Sequence, residues 1–196
     1  MRENNIPEWF IESCKKISYL FPRAHAVAYV MMAFRIAWFK VYHPLAFYAA
    51  YFSIRAKAFD LRVMTGDLKT QLTEFNRIKA LDRAASPKDK DLMSALEVSM
   101  EMYQRGYRFI NVDIQHSEAR RFSIKDGALL PPFLAIDSLG ETVADAIVEE
   151  RNERPFTSLK DLQRRCKVSN TIIDLMKDLK CCGELPEDEQ MSLFGA

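Results

Sequence analysis

The sequence contains few of the residues that metal and thiol chemistry usually require. Its 196 residues include three His and four Cys, and Cys14, Cys166, Cys181 and Cys182 show no CxxC spacing. Paired spacing is what marks zinc sites and disulfide frameworks, so neither is expected, and no signal peptide precedes these residues. The sequence therefore predicts reduced thiols and a cytoplasmic location.

Net charge is also nearly absent, because 28 Lys and Arg are balanced by 27 Asp and Glu. The distribution is nevertheless uneven. Residues 1–57 carry eight Lys or Arg against three Glu, whereas residues 184–190 carry four acidic residues and no base. A basic first part and an acidic end predict contact with a polyanion at one end of the chain only.

The sequence has no uninterrupted apolar run of membrane-spanning length, because Arg35 and Lys40 interrupt the strongly apolar residues 27–41. We therefore expect no membrane partner. The helix predicted over Arg23–Tyr42 has no Gly or Pro and is hydrophobic nearly all round, and a second aromatic-rich helix is predicted over Leu45–Ile54. Two such helices are difficult to bury within this chain alone, which indicates a missing partner or missing upstream sequence.

The rest of the chain predicts a mainly helical fold with a small β-hairpin or sheet. Apolar residues at helical spacing predict helices over 66–81, 92–104 and 172–179. Alternation that begins at Tyr107, followed by Asp126-Gly127 between two apolar runs, predicts a sheet of two or three strands.

Asp89 and Asp91 form a DxD pair, a spacing that metal sites also use. They stand between lysines at the predicted start of a helix, after Ser86 and Pro87. Carboxylates in the first turn complement the positive end of the helix dipole. This position favours a helix-start role for the pair over metal binding.

The segment Pro131–Lys167 has the pattern of a helix-hairpin-helix, a unit that holds a nucleic-acid backbone without reading its bases. An apolar approach ends in a turn at Gly140, and apolar residues then recur at helical spacing. Pro155 ends this helix, and Thr157 and Ser158 offer N-caps for the next one. We expect Gly140 to supply a tight backbone turn that a residue with a Cβ would resist.

Amides freed by such a turn, beside a helix N-terminus, are natural donors to a phosphate. The second helix adds basic residues that we expect to face outward, with Lys167 at its end. The candidate DNA-binding residues are Ser138, Leu139, Gly140, Glu141, Thr142, Lys160, Arg164 and Arg165. The alternative is a packed pair of helices that happens to contain Gly; the spacing and the basic second helix favour DNA.

Several stretches resemble one known family, in one order along the chain. They are Ser18–Tyr29, Met31–Pro44, Leu96–Met102, Tyr107–Phe109, Leu130–Phe133 and Phe156–Gln163. Together they resemble the alpha subunit of the replicative bacterial DNA polymerase III, and most of all its PolC type. The resemblance covers essentially the whole chain and implies the C-terminal end of such a polymerase.

The resemblance implies a helical fingers segment followed by a helix-hairpin-helix duplex-binding domain. The implied segments are the end of the fingers (1–58), a helical connection (59–106), a small β-sheet with the helix-hairpin-helix (107–183), and a flexible clamp-binding tail (184–196). The implied partners are duplex DNA, the sliding clamp, and the upstream palm and fingers of the polymerase.

The resemblance also implies that Arg23 and His25 lie near the incoming nucleotide, with Tyr19 close enough to stack. A guanidinium group can pair with a triphosphate, and a His side chain can donate to a phosphate or contact the base. The alternative for His25 is a helix-cap histidine with its hydrogen bonds satisfied inside the protein.

The turn departs from the usual helix-hairpin-helix pattern at one position. Many such turns have two glycines that flank an apolar residue, whereas Ser138-Leu139-Gly140 keeps only the second. Ser138 can donate its hydroxyl to a phosphate instead.

The end of the chain, QMSLF, resembles the QLxLF pentapeptide by which bacterial polymerases hold the sliding clamp. Leu193 and Phe194 are bulky anchors, and Gln190 and Met191 complete the candidate clamp-binding set. Short anchors bind modestly, but tethering raises their effective concentration. The alternative is an apolar end that packs on its own domain.

Two-metal phosphoryl transfer needs carboxylates on facing strands, and residues 1–57 offer only Glu3, Glu8 and Glu12. In the resembling family those carboxylates belong to the palm, upstream of this region. We therefore expect no cofactor on this chain, Mg²⁺ in the full polymerase, and no polymerase activity from the chain alone. Two other hypotheses remain open: a standalone DNA-binding accessory protein that recruits the clamp, and a purely structural helical scaffold.

Overall fold

Helices dominate the computed structural model, which describes residues 1–17 and 22–188. The chain is 62% helical, and the sheet within the described residues is one antiparallel pair of strands. The predicted fold class, mainly helical with a small β-hairpin, is confirmed. Two compact units are distinguished, Met1–Tyr42 and His43–Ala196.

The first unit consists of α1 (Glu8–Lys15) and α2 (Arg23–Tyr42), after a 3-10 turn at Arg2–Asn4. α2 has the predicted bounds and contains no buried residue. Phe34, for example, is 73% exposed. Because apolar side chains surround the helix, α2 presents more apolar surface than an isolated water-facing helix normally does.

α2 is the one helix among the described residues that is long and apolar enough to cross a membrane. By length and composition alone, the expectation that Arg35 and Lys40 make this helix too polar to span a membrane is therefore wrong. A helix that is apolar all round is equally typical of the core of a large protein.

The second unit begins with four helices, α3 (Pro44–Ile54), α4 (Leu61–Met64), α5 (Leu68–Leu81) and α6 (Pro87–Gln104). At the start of α6, the Ser86 hydroxyl accepts the Asp89 amide and the Asp89 carboxylate accepts the Ser86 amide, both at 3.1 Å. This reciprocal pair is a capping box, so Asp89 has the predicted helix-start role.

α3 packs inside the second unit, although α2 and α3 were together expected to be difficult to bury within this chain alone. Tyr48 and Phe52 are buried, and the Tyr48 hydroxyl donates to Glu101 of α6 at 2.7 Å. The Phe52 ring lies 4.9 Å from that of Phe109 and 5.7 Å from that of Phe122, centre to centre. These aromatic contacts bury the face of α3 that the sequence left without a partner.

The sheet consists of β1 (Ser123–Lys125) and β2 (Ala128–Leu130), with Ser123 opposite Leu130. Asp126 and Gly127 between the strands both have positive φ, 51° and 74°, as a tight hairpin turn requires. The preceding segment adds a bridge, in which the Ile110 amide donates to the Leu129 carbonyl at 2.9 Å. The predicted hairpin is confirmed.

Three more helices follow within the described residues of the unit, α7 (Glu141–Glu153), α8 (Leu159–Cys166) and α9 (Asn170–Asp178). Their shared core contains the buried side chains of Ile136, Ala144, Ile147, Leu162 and Met176. The apolar stripe predicted for the first of these helices therefore faces the core. This core holds in place the turns that precede α7 and α9.

Candidate nucleic-acid interface

The turn before α7 consists of Ser138, Leu139 and Gly140. Ser138 has a left-handed backbone with φ 64°, and Leu139 is buried in the core. Gly140 is the N-cap of α7, with φ −75° and ψ 158°. Leu139 thus anchors the turn, while Ser138 and Gly140 on either side of it are exposed.

The prediction that Gly140 supplies a conformation closed to other residues is wrong. Any L-residue adopts its φ of −75°, and a Cβ added there would meet nothing within 4 Å. The left-handed position is Ser138, where a residue with a Cβ costs on the order of 1 kcal/mol. Ser138, which stands where many such turns have their first glycine, is therefore the strained position of the turn.

α7 begins without a side-chain cap, whereas Ser158 caps α8 and Ser169 caps α9. The first amides of a helix have no acceptor within the helix. At α7 the backbone amides of Glu141 and Thr142, both exposed residues, are therefore open to an external acceptor such as a phosphate oxygen.

A second turn of the same geometry joins α8 to α9. Lys167 is left-handed with φ 54°, Val168 is buried, and Ser169 is an extended N-cap with φ −71° and ψ 155°. These residues correspond one by one to Ser138, Leu139 and Gly140. The second unit therefore contains two helix-hairpin-helix turns.

The second turn was missed as a binding site in the sequence, although Lys167 was expected to face outward. Its signal is an apolar residue between two polar ones, followed by the helical pattern of α9. A sequence pattern that requires glycine beside the apolar residue does not detect this turn, because Lys167 and Ser169 flank Val168.

The two turns lie at the same end of the α7–α8 pair. α7 leaves the first turn, and α8 returns antiparallel to the second, so that the Cys166 thiol lies 3.6 Å from the Ala146 carbonyl oxygen. Ala146 is about 8 Å along α7 from its first residue, at 1.5 Å per residue. Since Cys166 directly precedes the second turn, one ligand of duplex size can reach both turns.

Arg165 does not face outward as predicted. Its side chain is 12% exposed and pairs with Glu150 at 2.9 Å and Asp161 at 3.3 Å. Burial alone would raise the pKa of Asp161, but hydrogen bonds from Arg164, the Thr157 amide and Arg165 outweigh it and lower that pKa. Arg165 is therefore a structural link between α7 and α8.

Lys160 lies at the start of α8 beside residues 184–188, and its side chain is 66% exposed. Carbonyl groups of this segment accept the amides of Leu159 and Lys160 at 2.9 and 3.2 Å. The Lys160 ammonium group also pairs with Asp188. Residues 184–188, predicted as the first part of a flexible tail, thus pack against the domain.

The charges around the two turns differ. Beside the second turn, Lys167 is exposed and the Arg164 side chain is 72% exposed, although Arg164 also donates to Asp161. Beside the first turn stand carboxylates, among them Glu141, and the cation Arg120. The second turn therefore offers a phosphate the more favourable local charge.

The candidate nucleotide-binding residues Arg23 and His25 lie in the first turn of α2, in the first unit, and both are exposed. The His25 ring lies 4.6 Å from that of Tyr29, centre to centre. Tyr19 lies outside the described residues, as do the clamp-binding candidates Gln190, Met191, Leu193 and Phe194. Their assigned roles stay predictions.

The region from 106 to 190 matches a family model described as a helix-hairpin-helix motif. The matched range includes both turns and all of α7, α8 and α9. The two structural turns and the family match together define a helix-hairpin-helix region, a class of DNA-binding unit.

Nearly the whole chain is similar in sequence to bacterial proteins named as PolC-type DNA polymerase III. It is 47% identical over 194 residues to "DNA polymerase III PolC-type" of Caldanaerobacter subterraneus subsp. tengcongensis. The aligned region covers 99% of this chain and 14% of that relative. It is 48% identical over 197 aligned positions to the protein of the same name from Streptococcus pyogenes serotype M1. That alignment covers 99% of this chain and 13% of the relative. The chain thus spans about a seventh of the length of these curated relatives.

Exchanging Ser138→Gly should stabilise the second unit by about 0.5–1 kcal/mol, because the left-handed strain disappears while glycine adds some unfolded-state entropy. Gly140→Ser is the matched control and should not destabilise, since its φ suits any residue, its Cβ site is open and Ser is a preferred N-cap. Denaturant unfolding of both variants measures these free energies. Destabilisation by Gly140→Ser together with no gain from Ser138→Gly would contradict the assignment of strain.

Proposed function

We propose that this chain is the C-terminal part of a PolC-type bacterial DNA polymerase. It contributes to the incoming-nucleotide site, binds duplex DNA through its backbone, docks the sliding clamp and acts in the cytoplasm. The observation that carries the proposal is identity near 48% across 99% of the chain to proteins named as this polymerase. The helix-hairpin-helix match at 106–190 supports its DNA-binding part.

Duplex binding is assigned to the two turns of the second unit. In each turn the two residues that flank a buried apolar anchor are exposed, beside the N-terminus of a helix. Amides and cations at such a place bind phosphate oxygens and carry no base information. Because both turns lie at one end of α7 and α8, they can hold successive phosphates of one duplex.

Within this surface, Lys167 and Arg164 supply the cations that remain most exposed. Arg165 is assigned to structure because Glu150 and Asp161 already engage it. Lys160 is assigned to holding residues 184–188. Of the predicted contacts, Ser138, Gly140, Glu141 and Thr142 are retained through their backbone groups.

Affinity for duplex DNA should fall steeply with salt and vary little with base sequence. Lys167→Ala should weaken binding several-fold and make the slope of log K against log[salt] shallower by about 0.9, the value of one released phosphate contact. Lys69→Ala, an exposed lysine on α5, is the control and should leave the slope unchanged. A duplex affinity that does not change with salt concentration would refute recognition of the DNA backbone and favour a structural scaffold.

The polymerase proposal assigns catalysis to upstream carboxylates and their Mg²⁺ ions, which would polarise and orient the triphosphate. Among residues 1–17 and 22–188, no group of three His, Cys, Asp or Glu side chains could hold a metal ion. The exposed apolar surface of α2 supports a missing protein neighbour over a standalone accessory protein, which would have to cover that surface itself. In this proposal Arg23 and His25 complete the nucleotide site.

Adding this chain to the upstream palm and fingers of a PolC-type polymerase should restore primer extension that neither part gives alone. Arg23→Ala should raise the KM for the incoming nucleotide, because a charge-assisted contact to phosphate is lost. Steady-state primer extension over a range of nucleotide concentrations measures both effects. A folded chain that forms no complex and restores no extension would favour the accessory-protein alternative.

Clamp docking is assigned to Gln190, Met191, Leu193 and Phe194. Exchanging Leu193 and Phe194 together for Ala should lower affinity for the sliding clamp at least tenfold, because two apolar anchors are removed. Duplex affinity should stay unchanged. Surface plasmon resonance on immobilised clamp measures the first effect, and equal clamp affinity of both versions would exclude this docking site.

A further inference from the structure

Arg120 occupies a defined position at the first turn, between two carboxylates of α7. Its Nε donates to Asp145 Oδ1 at 3.0 Å, and its Nη2 donates to Asp145 Oδ2. Its Nη1 donates to Glu141 Oε2 at 2.5 Å. The guanidinium group is therefore held on one edge by Asp145 and directed by its other edge toward the start of α7.

Arg120 also lines an open groove that reaches the strained turn. The groove has a volume of about 360 Å³ and is lined by Arg120, Lys57 and Ser138, among others. Lys57 is exposed and lies in the segment between α3 and α4. The groove thus joins two cations to the turn that the proposed function assigns to a DNA phosphate.

The carboxylates at this turn raise a barrier to that assignment. Asp137, Glu141 and Asp145 carry negative charge at or next to the turn, and like charges repel an arriving phosphate. The uncapped amides of α7 carry only partial positive charge. Arg120 contacts Glu141 and Asp145 and places a full positive charge beside the turn.

We propose that Arg120 is the direct phosphate ligand of the first turn, and that Glu141 occupies the place of a phosphate oxygen until DNA displaces it. This inference rests on the proposed duplex binding. A carboxylate and a phosphate present the same acceptor geometry to a guanidinium edge, so one can replace the other. The Glu141 side chain is 62% exposed and can swing into solvent while Asp145 keeps Arg120 in position.

The test is a double-mutant cycle on the full chain, with duplex affinity measured from about 50 to 200 mM salt, the range over which phosphate contacts show. Arg120→Ala should weaken binding at least fivefold and make the salt slope shallower by about 0.9. Glu141→Gln should strengthen binding about threefold, because it removes a repulsive charge and frees Nη1. Arg120→Ala should have its full effect in the Glu141→Gln background as well.

The cycle separates direct contact from simple neutralisation. If Arg120 only shields the two carboxylates that it contacts, Arg120→Ala loses its effect once Glu141 is Gln and Asp145 is Asn, and the proposal is overturned. An Arg120→Ala variant with unchanged affinity and slope overturns it too. If Arg120→Ala does not fold, Arg120→Lys is the second variant, because it keeps the positive charge. Its duplex affinity should retain the wild-type slope against salt concentration. A wild-type chain without salt-dependent binding would instead refute the proposed duplex binding itself.

Discussion

The arrangement of the second unit depends on one buried carboxylate. The Asp161 side chain has no exposed area and pairs with Arg154, Arg164 and Arg165 at 2.9–3.3 Å. A buried carboxylate without such partners would cost several kcal/mol, so the guanidinium groups have to converge on it. Since Arg154 follows α7 and the other two lie on α8, this convergence ties the end of α7 to the start of α8. Both turns are thereby placed at one end of the pair.

Much of this local structure was predictable because its causes are local. Ser158 and Ser169 cap helices where the sequence places N-cap residues, and Ala144 and Ile147 form the expected apolar stripe. The error over Arg165 has a physical reason. Asp161 and Arg165 are four residues apart, on one helix face, and a sequence pattern treats both charges as solvated. Only the fold shows that this face turns inward.

Other features depend on parts of the chain that are far apart. The rings that cover Phe52 of α3 come from Phe109 and Phe122, so no pattern within α3 predicts its burial. Residues 184–188 look like an acidic spacer until α8 supplies amides for their carbonyl groups. The left-handed φ of Ser138 likewise follows from the anchoring of Leu139, whereas the sequence pattern pointed to Gly140.

The two turns share a backbone geometry but differ in charge, and this difference would suit the proposed function, in which the chain holds DNA and also lets it move. In the proposed function, Lys167 adds attraction at the second turn at all times. At the first turn, a phosphate has to displace Glu141 from Arg120, so part of its attraction is spent on breaking an existing ion pair. Contacts made by exchange are weaker than contacts to a free cation. A backbone grip of this kind stays sequence-independent and reversible, because neither turn reads a base and one of them regains an internal partner whenever DNA leaves.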